Sequence, residues 1–416
     1  MAVRHGYGKI AGADALVFAY DTGDTKNSYK GPPTQNYAHV NVANCSSTSG
    51  WSGTSVHTQY GLSRSLGVQK DGRTTFHVTY TPNATAGDCY HTFTLQDING
   101  NNVQTNGGEV FYLTFEWKSE GAEYLISGGD NWSTSTFYGD GWKTGTHMSA
   151  QDFGSVSIGN GWYRRTIKYT AAAVTGQTPL MRFSSGYKQT SGGDYNIWVA
   201  NIAMTANHPP LNWLPGQSSR SATQGLLDLT GNRPIDLSNV SFDSNAQVVY
   251  DGTDDGIAVA DPVNLSSYSA LTIEGVYTGA GVTSLDRWFS GTSGTGYHYP
   301  DLAMNSSGQQ WYIFSSIIGS WTNTGVSLPT NKYNHIVYTF TTAGAVEMYA
   351  NGELVYTATH SAGTFPSVSR AMIGNRYDRN GEALVGSIPI VKMYSRKLTA
   401  AEVLNNYNSY KSRFNL

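Results

Sequence analysis

The chain has few charged residues and almost no cysteine. Of its 416 residues, 26 are Lys or Arg and 29 are Asp or Glu, so the formal net charge is −3. This balance, without any basic cluster, argues against nucleic-acid binding, because phosphate recognition needs a concentrated positive surface. Cys45 and Cys89 are the only cysteines, and neither has the spacing of a zinc site. Whether the two form a disulfide stays open at this point.

Long hydrophobic runs are also missing. The first apolar stretch, ALVFAY (15–20), is too short for a membrane span or for the core of a signal peptide. We therefore expect no membrane association and no export through a signal peptide. Release by lysis, as for virion components, is the route that this pattern favours.

The composition favours short strands joined by tight turns. Glycine accounts for 47 residues and tyrosine for 28, whereas Glu and Lys are scarce. Aromatic residues favour strands, and glycine favours turns. At this length we expect two or three domains, built as an all-β protein.

Runs typical of strands occur on both sides of a Pro/Gly/Ser-rich stretch at 207–225. An Asn351-Gly352 dipeptide between two such runs predicts a tight hairpin, because both turn positions need positive φ. Pro389 lies inside the last run and predicts an edge strand or a bulge. The predicted strands are 109–117, 162–170, 195–204, 271–277, 335–341, the two strands around Asn351-Gly352, and 385–394.

One helix is predicted at the end of the chain. Thr399 is a suitable N-cap, and Glu402 three residues later completes a capping box. Four residues share one helical face, which we expect to pack on the sandwich. They are Ala400, Val403, Leu404 and Tyr407.

The C-terminal half contains an ordered series of short motifs. They include DLTGN (228–232), YDGTDDG (250–256), the Asn-Gly hairpin, IGN (373–375) and YSRKLTAAE (394–402). In this order they resemble the concanavalin A-like, laminin G-like jelly-roll module of tailed-phage structural proteins. The resemblance covers about 190 residues and implies a lectin-like β-sandwich with one C-terminal α-helix.

The opening strand of that module resembles residues 15–31, far ahead of the other motifs. Insertion of a second domain explains the separation, since the two ends of a domain are often close together. The predicted parts are an N-terminal arm and first strand (1–32), an inserted sandwich (33–207), a linker (208–225) and the lectin-like sandwich (226–416). An independent N-terminal arm is the alternative.

The inserted part more faintly resembles the jelly-roll carbohydrate-binding modules attached to glycosidases. Modules of this kind present flat aromatic rings to the C–H faces of sugars. Rings in predicted loops are therefore the glycan-binding candidates, although most loop aromatics simply pack over the ends of a sandwich. The candidates are Trp132, Tyr138, Trp142, Tyr187, Tyr297, Tyr299, Trp311 and Trp321.

Asp251, Asp254 and Asp255 form the only candidate metal cluster. Their loop does not fit an EF-hand, because Pro262 stands where a bidentate Glu is needed. The laminin G-like resemblance implies a calcium ion at this rim, with Asn375 and Asp378 as neighbours. The interpretation that we prefer is a turn held by aspartate side chains, without any cofactor.

The sequence contains neither a run of paired carboxylates nor a G-x-S-x-G elbow, and only a dispersed Ser/His/Asp set stays open. A retaining glycosidase needs two carboxyl groups about 5–5.5 Å apart, and Glu116, Glu274 and Glu347 each stand alone on a predicted strand. We therefore expect a protein that is not an enzyme.

The resemblance implies a structural protein on the surface of a tailed-phage virion, as a capsid decoration, fibre or tail component. Its partners would be the major capsid or tail protein, further copies of itself and cell-surface glycans. A carbohydrate-binding adhesin or receptor-binding lectin is the alternative, and a glycan depolymerase is a weaker one.

Overall fold

A computed structural model describes most of the chain. The described residues are 4–5, 8–9, 12–56, 62–80, 89–120, 149–171, 180–185, 195–259, 263–279, 285–292, 297–305, 310–314, 318–368, 370–379 and 381–416.

Strands account for most of the regular structure. Up to residue 220 they are β1 (Arg4–His5), β2 (Gly8–Lys9), β3 (Leu16–Asp21), β4 (Thr34–Gln35), β5 (Trp51–Val56), β6 (Leu62–Lys70), β7 (Arg73–Tyr80), β8 (Cys89–Thr94), β9 (Val110–Glu120), β10 (Ser149–Gly159), β11 (Trp162–Thr170), β12 (Leu180–Ser185), β13 (Tyr195–Ala206) and β14 (Ser219–Arg220). Beyond it they are β15 (Ile235–Asp236), β16 (Ser241–Phe242), β17 (Val248–Asp251), β18 (Ile257–Val259), β19 (Val263–Asn264), β20 (Ala270–Gly279), β21 (Leu285–Thr292), β22 (Tyr297–Asn305), β23 (Gln310–Phe314), β24 (Thr322–Ser327), β25 (Asn334–Thr341), β26 (Ala345–Ala350), β27 (Glu353–Thr359), β28 (Ser367–Val368), β29 (Arg370–Ile373) and β30 (Val385–Tyr394).

The described helices are mostly short. Two single turns, α1 (Val40–Ala43) and α2 (Ala222–Gly225), and two 3₁₀ turns, Ala13–Ala15 and Leu265–Ser267, precede the C-terminal helix α3 (Ala400–Phe414). Among the described residues, no helix is both long and apolar enough to cross a membrane.

Contacts divide the chain into two compact units. The terminal unit comprises Met1–Pro33 and Ser221–Leu416, and the central unit comprises Thr34–Arg220. Residues 208–220, predicted to be part of a linker, are thus grouped with the central unit.

The terminal unit is a sandwich of two sheets. The seven-stranded sheet has the order β15-β18-β29-β21-β22-β23-β24, and the eight-stranded sheet contains β16-β17-β30-β20-β25-β26-β27 with β3 beside β30. Its core lies between the sheets and contains rings such as Trp288, Trp311 and Tyr338.

The central unit also consists of two sheets. A six-stranded sheet, β10-β11-β9-β13-β7-β6, accompanies a three-stranded sheet, β12-β8-β5. Buried side chains from four strands of the larger sheet, including Phe76, Leu113, Ile167 and Val199, form its main core cluster. Cys45 belongs to the same cluster as a free thiol, and burial raises the pKa of this thiol to about 12. The predicted fold class, all-β with two sandwiches and one C-terminal helix, is confirmed.

Local features predicted around the last strands are also present. Asn351 and Gly352 both have positive φ, 49° and 85°, and they join β26 to β27. Pro389 lies in β30, which pairs with strands on both sides and is therefore not an edge strand. The alternative prediction, a bulge at the proline, is correct. The register against β20 shifts between Val276 and Thr278, so the missing N–H of the proline interrupts no regular pair.

Helix α3 begins as predicted but buries a different face. Thr399 and Glu402 form the complete capping box. The buried residues are Val403, Asn406 and Tyr410, whereas Leu404 is 47% exposed. The prediction that Ala400 and Leu404 would be buried against the sandwich was wrong: Ala400 is exposed, and Leu404 lies at the rim beside Gly352. The sheet surface under the buried face of the helix carries polar groups as well as apolar ones.

Those polar groups form a buried network centred on Glu274. Its carboxylate accepts hydrogen bonds from the Tyr394 hydroxyl at 2.5 Å and from Asn406 Nδ2 at 3.0 Å, and it lies 2.9 Å from His335 Nε2. Burial opposes its ionisation, but the hydrogen bond with His335 and the attraction of Lys392 outweigh burial and lower the pKa of Glu274. Helix α3 is therefore fixed to the sheet by a satisfied buried charge.

A second ionic contact fixes the end of the helix. The Arg413 guanidinium donates two hydrogen bonds of 2.6 Å to the carboxylate of Asp21 on β3. Between the Glu274 network and the Arg413–Asp21 ion pair, Lys392 Nζ contacts the Tyr410 hydroxyl. Burial lowers the pKa of Lys392 to about 8.

Replacing Glu274 by Ala is expected to lower the free energy of unfolding by about 3–5 kcal/mol, because Lys392 stays buried without its carboxylate. Urea denaturation measures the change. The control is Glu353→Ala, which removes an exposed carboxylate from the same sheet and is expected to change stability by less than about 0.5 kcal/mol. Equal stability of the two variants would contradict the role of the network.

Candidate functional site

The structure separates the predicted glycan-binding rings into three groups. Trp132, Tyr138, Trp142 and Tyr187 lie outside the described residues. Tyr297 and Tyr299 lie in β22, and only their backbone is described. Trp311 and Trp321 can be placed fully.

Trp311 is a core residue. Its side chain has no exposed surface, and its ring lies 5.2 Å from that of Tyr277 and 6.0 Å from that of Tyr338. It follows the alternation of β23, which turns Trp311 and Ile313 inward. The prediction that Trp311 could contact a sugar is therefore wrong for this structure.

Trp321 lies just before β24 and is partly exposed. One face of its indole is covered by the Arg287 guanidinium, whose central carbon lies 4.4 Å from the ring centroid. Phe314 packs beside it with ring centroids 5.6 Å apart. Arg287 is only 2% exposed, so the exposed part of Trp321 is turned away from the guanidinium.

Strand pairing explains why these side chains meet. In an antiparallel sheet, directly paired residues share a face. Arg287 pairs with Ala303, Ala303 pairs with Tyr312, and Tyr312 pairs with Asn323. This row lies on the face of the seven-stranded sheet opposite to the core, since the alternating neighbours Leu302 and Ile313 are buried in the core.

Two carboxylates hold the Arg287 side chain in place. Arg287 Nε donates to Glu382 Oε2 at 2.7 Å, and Nη1 donates to Asp301 Oδ2 at 3.4 Å. Burial raises the pKa of Asp301 to about 6, although the guanidinium opposes this shift. The ion pairs and the cation–π contact together hold the indole in one orientation.

We define the aromatic face as Tyr312, Phe314, Trp321 and Asn323. The three rings are half-buried and the amide of Asn323 is exposed. Asn323 Nδ2 donates to Gln310 Oε1 at 2.5 Å. This surface offers flat rings for C–H groups and an amide for hydroxyl groups, which is the chemistry of sugar recognition.

Trp321 was among the predicted rings, but the residues that support it were not predicted. Arg287 and Asp301 were not candidates, and Glu382 was not considered. The available signal was the pair Asp286-Arg287 inside an apolar strand, LDRWFSG. Charged residues in a buried strand need partners. One partner of Arg287 is Glu382, which lies in a loop 95 residues further along the chain.

The three aspartates of the corner between β17 and β18 do come together. One carboxylate oxygen from each lies within 4.8 Å of the others. Asp255 is buried, whereas Asp251 and Asp254 are exposed. Asp255 Oδ2 accepts from the Asp251 N–H at 2.7 Å, and Oδ1 accepts from the Ser241 hydroxyl at 3.2 Å.

Further hydrogen bonds connect this corner to the loop after β29. Asp251 Oδ1 accepts from the Thr253 N–H at 2.7 Å, and Asn375 Nδ2 donates to the carbonyl of Asp255 at 2.9 Å. Asp378 instead pairs with Arg376, 2.6 Å away. Calcium needs six to eight oxygens, and several of the available oxygens already accept hydrogen bonds that hold the turn.

Burial raises the pKa of Asp255 despite these hydrogen bonds. The Asp255 carboxylate thus holds the turn through the Asp251 N–H and the Ser241 hydroxyl. This geometry supports the turn-holding interpretation of the corner.

A family model for the Concanavalin A-like lectin/glucanases superfamily matches residues 251–404. This stretch is similar to the domains of that superfamily. The matched range includes both the aspartate corner and the aromatic face. A comparison with curated proteins found no match.

Several solved structures are similar to parts of this chain. A native heptameric SAP-like pentraxin from Limulus polyphemus is 13% identical, with a TM-score of 0.33, and the match covers 38% of this chain and 78% of the pentraxin. Domain 4 of an extracellular arabinanase from Geobacillus stearothermophilus, solved with arabinotriose, is 18% identical, with a TM-score of 0.34, and the match covers 45% and 93%. The carbohydrate-binding module of a Ruminococcus gnavus sialidase is 16% identical, with a TM-score of 0.28, and the match covers 33% and 83%.

Replacing Asp255 by Ala is expected to lower the free energy of unfolding by about 1–3 kcal/mol, because the Asp251 N–H and the Ser241 hydroxyl lose a buried acceptor. Asp254→Ala is the matched control and is expected to stay within about 0.5 kcal/mol of the wild type. Urea denaturation with and without added calcium measures both effects.

Calcium is expected to leave both the wild type and the Asp254 variant unchanged. Stabilisation of the wild type by calcium that both variants abolish would show instead that the three aspartates bind a metal.

Proposed function

We propose that this protein is a non-enzymatic binding protein that recognises glycans through the aromatic face of its lectin-like domain. The observation that carries the proposal is Trp321, a partly exposed indole with the Arg287 guanidinium over its ring. A ring fixed before binding loses little conformational entropy when a sugar stacks on it.

The position of the aromatic face in the sandwich supports the same role. Helix α3 packs on the eight-stranded sheet through Asn406 and Tyr410. The aromatic face belongs to the seven-stranded sheet on the other side of the core. A ligand approaching Trp321 therefore does not compete with the helix.

The surroundings of the strand glutamates support a role without catalysis. Glu274 is buried in the network under α3. Glu347 accepts a 2.7 Å hydrogen bond from Tyr349, and Glu116 in the central unit accepts hydrogen bonds of 2.8 Å from Arg73 and Arg164. Each of these glutamates is engaged in holding strands together, whereas catalysis would need two of them free beside a substrate.

Trp321→Ala is expected to weaken glycan binding by about tenfold or more, because the variant loses the aromatic ring on which the sugar packs. The full-length protein is screened on a glycan array, and hits are quantified by calorimetry. The matched control is Trp213→Ala, which removes a tryptophan with 38% exposure from the central unit. Equal binding by the wild type and the Trp321 variant would contradict the proposed site.

We further propose that the protein is displayed on the surface of a tailed-phage virion, where it contacts a capsid or tail protein. The support for this placement is the ordered motif series from Asp228 to Glu402, which resembles modules of such virions. Mass spectrometry of purified particles is expected to detect peptides of this chain. Particles without any such peptide would contradict the placement, while leaving the glycan proposal open to its own test.

A further inference from the structure

The aromatic face lies in a part of the chain that has almost no charged residues. Residues 288–331 contain no Lys, Arg or Glu, and Asp301 is their only Asp. Its carboxylate is fully buried and lies 3.4 Å from Arg287 Nη1. The polar side chains next to the rings on β23 and β24 are two amides, Gln310 and Asn323. In the described part of this face, a ligand therefore meets neutral hydrogen-bonding groups.

The Arg287 guanidinium behind the indole is already engaged by acids. Its side chain is 2% exposed, and it donates to Glu382 and to Asp301. Ion pairs continue from Glu382 to Arg376 at 4.0 Å and from Arg376 to Asp378 at 2.6 Å. This linked cluster holds two guanidiniums and three carboxylates, so it leaves no surplus positive charge for an anionic ligand.

Two exposed cations of the same unit lie away from the rings. Arg370 is on β29, which is three strands from β23 in the order of the sheet, or about 14 Å at the usual strand spacing. Lys332 precedes Tyr333, whose ring lies 5.0 Å from that of Phe414 on α3. Because α3 packs on the eight-stranded sheet, Lys332 adjoins the other side of the sandwich.

The rings of the aromatic face do not form one flat platform. The planes of Trp321 and Phe314 meet at 56°, with centroids 5.6 Å apart. A flat polysaccharide surface needs coplanar rings along its length, whereas a tilted pair fits a single sugar ring that packs on one plane and touches the other with its edge. The geometry therefore suits one pyranose at a time.

We infer that the aromatic face binds one neutral pyranose of a soluble glycan and discriminates against the corresponding uronic acid. This inference rests on the proposed function, since it names the class of sugar that the same site takes. A uronic acid would bring its carboxylate from water to a face whose described residues offer amide and hydroxyl groups but no cation. Moving a charge out of water without a partner is costly, whereas a hydroxymethyl group loses little.

The test compares hexoses with their own uronic acids. Oligosaccharides ending in glucose, galactose or mannose, and the same oligosaccharides oxidised to the acid at the terminal C6, are titrated into the full-length protein at low salt. Calorimetry is expected to show the acid binding about tenfold or more weakly than the hexose. The uronamide, which has the shape of the acid without its charge, is expected to bind like the hexose.

A charge-adding variant provides the reverse test. Asn323 is exposed on β24, so Asn323→Arg brings a guanidinium to the rings and is expected to reduce the discrimination against the acid by about fivefold or more. Asn323→Gln stays neutral and is the matched control, with the discrimination of the wild type. Both variants lose the hydrogen bonds of Asn323 with Gln310 and Gly325, so the readout is the ratio of acid to hexose affinity.

The outcomes separate this inference from the proposed function. Uronic acids bound as tightly as the hexoses, with both weakened in Trp321→Ala, would overturn the inference and leave the proposed function intact. So would retention of the wild type on microcrystalline cellulose or chitin that Trp321→Ala abolishes, or failure to bind any of the neutral oligosaccharides. Sugar binding that Trp321→Ala leaves unchanged would overturn the proposed function, and the inference with it.

Discussion

The pairing of β3 with β30 is the constraint on which the terminal unit depends. Residues 16–21 lie against residues 390–394, and Arg413 near the chain end binds Asp21. The chain therefore has to leave this sandwich after β3 and return to it. The two points lie close together, because the Lys30 N–H donates to the Gly225 carbonyl at 2.8 Å. An entire folded unit can be accommodated between them at little cost to the sandwich.

The outer faces of the two sheets in the lectin-like sandwich differ in how their charged side chains are stabilised. The eight-stranded sheet carries Glu274, His335 and Lys392 on its outer side, where isolated charges would be costly to bury. Helix α3 covers them and supplies Asn406 as a further donor. The seven-stranded sheet buries the guanidinium of Arg287, which two carboxylates neutralise. That guanidinium supports the partly exposed indole of Trp321.

The aspartate corner and the aromatic face also differ in how their polar groups are used. The oxygens of Asp255 accept hydrogen bonds from nearby chain segments, so this carboxylate stabilises the corner itself. Arg287 and Asp301 satisfy each other and leave Trp321 with exposed surface.

The sequence by itself determined the elements whose causes are local. The Asn351-Gly352 turn, the capping box of Thr399 and Glu402, and the alternation of the strands depend on neighbouring residues, and all were predictable. The tertiary structure decided which rings are accessible, because Trp311 and Trp321 differ only in the strand face and loop position that packing assigns to them. It also decided the partners of Arg287, which lie 14 and 95 residues away along the chain. Contacts of that separation depend on sheet order and register, which no local pattern encodes.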